Sequence, residues 1–512
     1  MKNSIGREVP TELAGRTLQP FQGAFETPPT MRRAAPPVKT IHPGEDKLFD
    51  SLEAVFKAIP VCDGMTLGFH HHLRNGDGVV NQVLAVAAKL GLKNLTIALS
   101  SVFPVHAPLV DYVKQGVVAK LDTNYMSGPV AQAVSEGLFT EPVMLRTHGG
   151  RARAIECGQL HIDVAFVAAP AADPYGNLNG VAGQAACGSL GYAMPDAEYG
   201  DVVVAVTDHI EAYPLAPVSI PQTRVDYVVK VDSIGDPKGI VSGTTKVTKD
   251  PVALKIAESA AKVIDALGFI KNGFSFQTGD GGASLATAAF VKKMMQERQV
   301  KGSFALGGIT GFMVNMLEEG LFEKIIDVQG FDLEAVHSIA TNPNHLELSA
   351  GGYASPFNKG CAVNQLDVVI LGATEIDTKF HVNVVTGSDG VIMGGSGGHS
   401  DAAAGAKVTI VVANLIRGRL PIIVDEVLTA TTPGETIDIL VTERGIAVNP
   451  KRPELTEALL KRKLPVKSIE ELKAKAEKIA GKPKAIPHDG PVVALVEYRD
   501  GTIIDVVRKV VR

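Results

Sequence analysis

The chain of 512 residues lacks a charge excess of either sign: 50 Lys plus Arg stand against 55 Asp plus Glu, a formal net charge of -5. That balance excludes nucleic-acid binding by bulk positive charge. No apolar run reaches the roughly 18 residues a membrane helix needs. The N-terminal MKNSIGREVPTELAG lacks the apolar core of a secretory signal. Cysteine is scarce, and Cys62, Cys157, Cys187 and Cys361 form no CxxC or Cys/His ligand spacing. The expectation is reduced thiols in the cytoplasm, with neither a disulfide framework nor a cysteine metal site. Tryptophan is missing altogether, and aromatics are 5%. Hydrophobic residues at 45% and charged residues at 21% exclude wholesale disorder. What is in excess is glycine, 52 residues, about 10% against a usual ~7%. Without collagen periodicity, that excess points to places where backbone comes close to something.

At about 100–200 residues per domain, the length suggests two to four domains. Residues 1–45 hold seven prolines between Pro10 and Pro43 and read as an extended arm, disordered or wrapped on a neighbouring subunit. From residue 46 the pattern alternates strand and helix. Met65–Phe69, Leu95–Leu99, Asp163–Ala169 and Asp201–Thr207 are apolar runs of strand length. Val83, Val86, Ala87 and Leu90 share a helical face closed by Gly91. A second cycle starts near 250, with Asp250 as cap and Pro251 in the first turn of a helix. The strand Phe274–Gln277, a helix from about Ser284 to Arg298, and strands at Val368–Leu371, Val408–Ala413 and Ile437–Thr442 follow. This order predicts an α/β fold with parallel strands. Ser468 and Glu471 have capping-box spacing, and Arg499-Asp500-Gly501 marks a C-terminal hairpin.

One pattern occurs twice. A glycine, an apolar strand, a Gly-Asp-Gly triplet and an alanine-rich helix appear around Gly76–Gly78 and again around Gly279–Gly281. The repeat predicts two related α/β domains, 46–245 and 246–512, the second including the C-terminal helix and hairpin. Each triplet sits where a strand turns into a helix. Two such loops facing each other would line one cleft with unpaired N–H groups that favour anions.

Other motifs carry competing readings. Gly394-Gly395-Ser396-Gly397-Gly398-His399-Ser400-Asp401 fails as a dinucleotide fingerprint, because Ser400 stands where the third glycine belongs. It is either a tight turn or a backbone wall with amides available as an oxyanion hole. His70-His71-His72 are structural, or substrate-binding, or metal ligands, although no HExxH-type partner accompanies them. Arg74 beside them offers a planar fork for carboxylate. In DPYGNLNG (from Asp173), Asn177 and Asn179 either organise a surface loop or donate to a substrate carbonyl. Eight lysines between Lys461 and Lys484 form a solvated helix face or a docking patch for an acidic partner. No GxxxxGK[ST] loop and no GxSxG elbow is present.

Together, GFHHHLRNGDG (from Gly68), IDVAFVAAPAADPYGNLNG (from Ile162), FQTGDGGASLA (from Phe276), ATEIDTKFHVNV (from Ala373), GGSGGHSD (from Gly394) and VTERGIAVNP (from Val441) resemble the CoA-transferase superfamily. The resemblance is strongest to the citrate lyase alpha chain family and covers the chain from about residue 46. It implies two related open α/β domains of the CoA-transferase type with the active site between them. It implies exchange of acetyl on an acyl-carrier-protein thioester for citrate, giving citryl-carrier protein and acetate, within a complex holding a citryl-lyase beta subunit and a carrier gamma subunit. The thioester would sit on the phosphoribosyl-dephospho-CoA prosthetic group of the carrier, with CoA thioesters as substitutes. The resemblance implies no cofactor or metal bound by this chain itself, a homo-oligomer within the larger complex, and no nucleic-acid or membrane partner.

Many CoA-transferases form a covalent thioester on a glutamate; ungapped comparison puts Gly311 of GGITGFMVNMLEEG at that place. Glu318 and Glu319 lie further along a helix, and no nearby residue is an obvious replacement. The expected route is therefore direct attack of a citrate carboxylate on the acetyl thioester through a mixed anhydride. Amides of Gly279, Gly281 and Gly282, and of Gly397, Gly398 and His399, would stabilise the oxyanion. Arg74, His70, His71 or His72, Asn75 and Asn177 would bind substrate, and Asp401 would orient a loop. Rivals are the malonate-using alpha chain of malonate decarboxylase, an acetate CoA-transferase or acetyl-CoA hydrolase, and a non-catalytic sugar-phosphate sensor on the same domain type.

Overall fold

The computed structural model of the chain describes residues 1–25, 41–241, 248–279, 281–484, 486–487 and 489–510. The first unit contributes strands β1 (Leu48–Phe49), β2 (Thr66–Phe69), β3 (Leu95–Leu99), β4 (Val118–Thr123), β5 (Val143–Leu145), β6 (Val164–Ala168), β7 (Val202–Thr207) and β8 (Tyr227–Lys230). The second contributes β9 (Ser275–Thr278), β10 (Gly302–Ile309), β11 (Phe322–Gly330), β12 (His345–Glu347), β13 (Val368–Leu371), β14 (Val408–Val412), β15 (Ile439–Thr442), β16 (Gly445–Val448) and β17 (Val466–Lys467). A terminal hairpin, β18 (Val492–Glu497) and β19 (Ile503–Arg508), completes the strands that matter here. Strands such as β6 and β13 are buried along their whole length, as apolar parallel strands covered on both faces must be.

The first sheet runs β19-β18-β5-β4-β3-β2-β6-β7-β8-β1 and the second β12-β11-β10-β9-β13-β14-β15-β16-β17. Within each, seven successive strands, β2–β8 and β9–β15, have the same order: the first of the seven lies in the middle, with later strands added first to one side and then to the other. All pairs are parallel except β18–β19 and β15–β16. The order reverses beside β2 in one sheet and beside β9 in the other. Crevices at the carboxyl ends of strands at such reversals are where open α/β sheets take ligands.

Helices follow the sequence signals closely. The six needed below are α1 (Val79–Lys89), α2 (His148–Glu156), α3 (Pro251–Ala266), α4 (Gly282–Arg298), α5 (Gly311–Glu318) and α6 (His399–Gly405). Asp250 caps α3, its Oδ2 accepting from Ala253 N at 2.8 Å. Ser468 and Glu471 form the reciprocal capping box of α7 (Ile469–Ala480). No helix of the described residues is long and apolar enough to cross a membrane. The four cysteines are free thiols, Cys187 and Cys361 buried.

Two expectations about organisation change. The C-terminal hairpin forms where expected, but it extends the first sheet: β18 runs parallel to β5, pairing Ala494 with Val143. Residues 246–512 are therefore not one sheet-bearing unit, because the chain returns to cover the open edge of the first sheet. The described part of the N-terminal arm packs on its own chain. Pro20 bridges Ile503, and the buried Phe21 meets Tyr498 edge-on at 4.8 Å between ring centres. Residues 26–40 of that arm lie outside the described residues.

The units meet through backbone. Thr147 bridges Gly397 in parallel, His148 N donates to Gly397 O at 2.8 Å, and Met126 N to Gly394 O at 3.3 Å. Such approach requires missing side chains. A Cβ on Gly149 would overlap the Ala354 carbonyl, and one on Gly395 the Asn124 carbonyl. Gly149→Ala should therefore cost about 1–3 kcal/mol of stability through overpacking, read as a lowered thermal midpoint. An unchanged midpoint would show that the contact is slack.

Candidate active site

His70, His71 and His72 follow directly on β2, at the reversal point of the first sheet, and all three are buried. Their rings are bound mainly to each other and to the fold. Tyr192 N donates to His72 Nε2 at 3.2 Å, so the His72 proton sits on Nδ1, which bonds His70 Nδ1. His71 Nδ1 meets Ser100 Oγ at 2.6 Å, and the ring stacks on Tyr192 at 4.7 Å. Burial lowers the His70 pKa to about 4 and holds His71 and His72 well below the usual histidine range. The run is neutral at pH 7. It cannot offset the charge of bound carboxylates, and His72, with both nitrogens engaged, has none left for substrate.

Arg74 supplies the positive charge instead. Its guanidinium stacks over Phe331 of the second unit at 4.6 Å and over Phe103 at 5.6 Å. Its φ is +51°, a left-handed conformation that costs a non-glycine residue roughly 1–2 kcal/mol. Strain of this kind persists where surrounding structure over-determines it.

The two Gly-Asp-Gly segments are used differently. A Cβ on Gly76 would overlap the Asp236 carbonyl, and one on Gly78 would lie 3.1 Å from Ile234 O. The first loop thus lies against its own chain and offers no backbone wall to a ligand. Asp77 caps α1 and holds His106 Nε2 at 3.0 Å. The second loop is open. A Cβ on Gly279 or Gly281 would meet nothing closer than 3.7 Å. Gly279 N is spent on Ile370 O at 2.9 Å, whereas no side chain among the described residues caps α4 at Gly281. Among the described residues nothing accepts from the first N–H groups of α4, from Gly282 on, the kind of donors that favour an anion. Asp280 lies outside the described residues.

The GGSGG loop also divides. Gly397 N donates to Asn124 O at 3.3 Å and His399 N to Ser396 O at 2.8 Å, so neither amide is free for an oxyanion. Both His399 nitrogens are engaged as well, with Gly372 O and Thr432 Oγ1, each at 2.8 Å. His399 positions the loop; it has no nitrogen for reacting atoms. Gly398 begins α6 and faces Tyr353, whose hydroxyl would lie 2.7 Å from a Cβ there. Tyr353 Oη accepts from Gln277 Nε2 at 2.9 Å, which links this loop to the end of β9. Gln277 Oε1 is buried without a hydrogen-bond partner among the described residues.

Asp401 is fully buried. Its carboxylate accepts from Thr147 Oγ1 at 2.9 Å and Gly149 N at 2.8 Å, with Arg499 Nε at 3.4 Å. It acts on the start of α2, not on a cleft ligand. Asn75 is exposed, and its Oδ1 accepts from Val105 N at 3.0 Å. The Asn177 amide is consumed by Asp173 and Gln222 at 2.8–3.0 Å. The Asn177 amide is therefore saturated by its own turn, whereas Asn75 has only its oxygen engaged.

Four residues of the site escaped the sequence reading: His148, Tyr192, Gln277 and Tyr353. They come from four separate segments, and only the packing brings them together. The His148 ring lies 4.4 Å from Tyr192 and 5.5 Å from His71. Glu334 was missed too. A Cβ on Gly311 would overlap the Glu334 carboxylate, so the space over the empty position holds a carboxylate from 23 residues downstream. Among the described residues, a group with metal-ligand spacing, His161, Asp163 and Asp201, lies at the opposite, amino-terminal ends of β6 and β7.

Burial raises the Asp401 pKa to about 6 from 3.8. Between those values the folded protein holds a proton that the unfolded chain lacks, so acidification favours folding. From pH 7 to 5 the wild type should gain about 1 kcal/mol relative to Asp401→Asn. Thermal midpoints that move in parallel in the two proteins would contradict a buried charge here.

The family described as "Citrate lyase, alpha subunit" matches residues 45–510. The citrate lyase alpha chain of Haemophilus influenzae is 52% identical over 464 residues, 91% of this chain and 93% of its own. That of Escherichia coli is 51% identical, covering 91% of each. A crystal structure from Streptococcus mutans, described as an alpha subunit of citrate lyase in complex with citrate, matches with a TM-score of 0.97, 50% identity and full coverage of both chains. A Pseudomonas malonate decarboxylase hetero-tetramer with malonate shares the fold alone, at a TM-score of 0.64, 17% identity and 86% and 95% coverage. The chain belongs to the citrate lyase alpha subunit family.

Proposed function

We propose that this chain transfers an acyl-carrier-protein thioester from acetyl to citrate, releasing acetate, in the crevice between β2, β9 and the GGSGG loop. The observation that carries the reading is the 50% identical, citrate-bound structure whose fold matches over the full length. The shared strand order of the two sheets supports reading the units as related CoA-transferase-type domains. The carrier is a separate gamma-type subunit bearing a phosphoribosyl-dephospho-CoA thiol, a beta-type subunit cleaves the citryl product, and the chain works in the cytoplasm as a homo-oligomer.

The reaction needs no water and no net proton. A citrate carboxylate oxygen attacks the thioester carbonyl carbon, the C–S bond breaks and the thiolate leaves, giving an acetyl–citryl anhydride. The thiolate then attacks the citryl carbonyl, and the C–O bond breaks to release acetate. Each step passes through a tetrahedral oxyanion, which donors fixed in advance stabilise. Arg74 holds citrate and reduces repulsion between its carboxylates and the leaving thiolate. The N–H groups that open α4, with Gly398, face the developing charge. Glu334 does not take the nucleophile's place: it is exposed, and an acyl group on it would be open to hydrolysis.

Acetyl-to-citryl exchange with purified carrier protein and no beta chain should proceed on this chain alone. Malonate as acceptor should fail; preference for malonate would favour the malonate decarboxylase rival. Arg74→Ala should raise citrate KM about 10–100-fold, the loss of a charge-assisted contact, with thioester KM unchanged. Hydroxylamine or borohydride trapping in the presence of acetyl thioester should label no glutamate. A specific adduct on Glu334 would replace the direct route with a covalent one.

A further inference from the structure

His148 is the first residue of α2, and Thr147, its N-cap, accepts from Gly150 N with its hydroxyl. Asn124 Nδ2 donates to Thr147 O at 3.1 Å. A carbonyl can only accept, which fixes the orientation of the Asn124 amide. The same Nδ2 lies 2.9 Å from His148 Nδ1. Nδ1 is therefore an acceptor, and the ring proton sits on Nε2.

Nε2 has no hydrogen-bond partner among the described residues and points at Gly397, where a Cβ would stand 3.3 Å away. The missing side chain at Gly397 leaves this N–H uncovered, in a loop whose own amides are mostly spent. Tyr192 and His71 stack on the ring, which fixes its plane. The charged groups about it are Arg151, one turn along α2, and Asp401, bound to Gly149 N. Burial, then Arg151, lowers its pKa to about 3, so the imidazole is neutral through the working range. A neutral, oriented imidazole is an electrophilic donor, able to polarise a carbonyl without bringing a charge.

We propose that His148 is a catalytic residue, its Nε2–H donating to the oxyanion formed when a carboxylate adds to the thioester carbonyl. The proposal rests on the transfer reading above. As the C–O bond forms, the carbonyl π pair moves onto oxygen; as the tetrahedral species collapses, it returns and the thiolate leaves. The Nε2 proton stays on His148 throughout.

The experiment compares wild type, His148→Ala and His148→Gln in acetyl-to-citryl exchange with saturating carrier protein. His148→Ala should lose about 10²–10³-fold in kcat, the effect of deleting one oxyanion donor, with citrate KM within threefold of wild type. His148→Gln, which keeps a donor near Nε2, should recover at least tenfold over the alanine variant. The ring nitrogen shifts assigned to His148 in 15N-histidine-labelled wild type should show the Nε2–H tautomer, without titration, from pH 5.5 to 8.5. His148→Ala activity within threefold of wild type overturns the proposal, as does an Nδ1–H tautomer of His148 or its titration near pH 6.5. These spectra decide the matter if the variants do not fold. Absence of exchange by wild type itself instead defeats the transfer reading, and this assignment with it.

Discussion

The carboxylate of Asp401 joins three remote stretches of chain: the Thr147–Gly149 turn of the first unit, its own helix in the second, and Arg499 in the returning C-terminal hairpin. A buried charge is costly unless its oxygens are occupied, and here each oxygen has a donor. Removing the carboxylate would leave these buried donors unpaired, so this contact holds the two units in one relative position. That position sets the start of α2 beside Gly397 and brings the carboxyl ends of the two sheets into contact, where Gln329 Nε2 donates to His71 O. The rest of the site follows from it.

Around the histidine run, the Arg74 guanidinium stands among several neutral donors. Arg74, braced between two phenylalanines, is the positive group. The histidines around it are neutral because burial removes the water that would solvate their charged forms. A run of three histidines therefore serves to fix ring positions through shared protons and stacking. In the proposed reaction citrate brings several negative charges and leaves with fewer, and a site with modest positive charge and oriented dipoles suits binding it without trapping the product.

The empty side chain at Gly311 is instructive beside Glu334. A glutamate at 311 and the observed Glu334 conformation exclude each other sterically. The carboxylate over that position is exposed and belongs to a different helix. In the proposed route, direct attack by the substrate's own carboxylate removes the need for a protein nucleophile. What the protein must then supply is position and electrostatics, both of which come from backbone turns and rigid rings.

Composition and pattern by themselves determined much of this protein. Apolar runs of strand length and helical periodicity mark the parallel strands, because burial on both faces demands such runs. Caps at Asp250 and Ser468 are local hydrogen bonds between near neighbours, so their residues announce them. The doubled Gly-Asp-Gly unit likewise signals two like-ordered sheets. Tertiary structure alone decided which glycines are open, since that depends on what lies across from them: Asp236 closes Gly76, and nothing close faces Gly281. It decided that Asn177 and His399 are saturated, that the final hairpin belongs to the first sheet, and that His148, Tyr192, Gln277 and Tyr353 share one site. Those contacts join residues tens to hundreds of positions apart, and side-chain chemistry at one end does not specify the partner at the other.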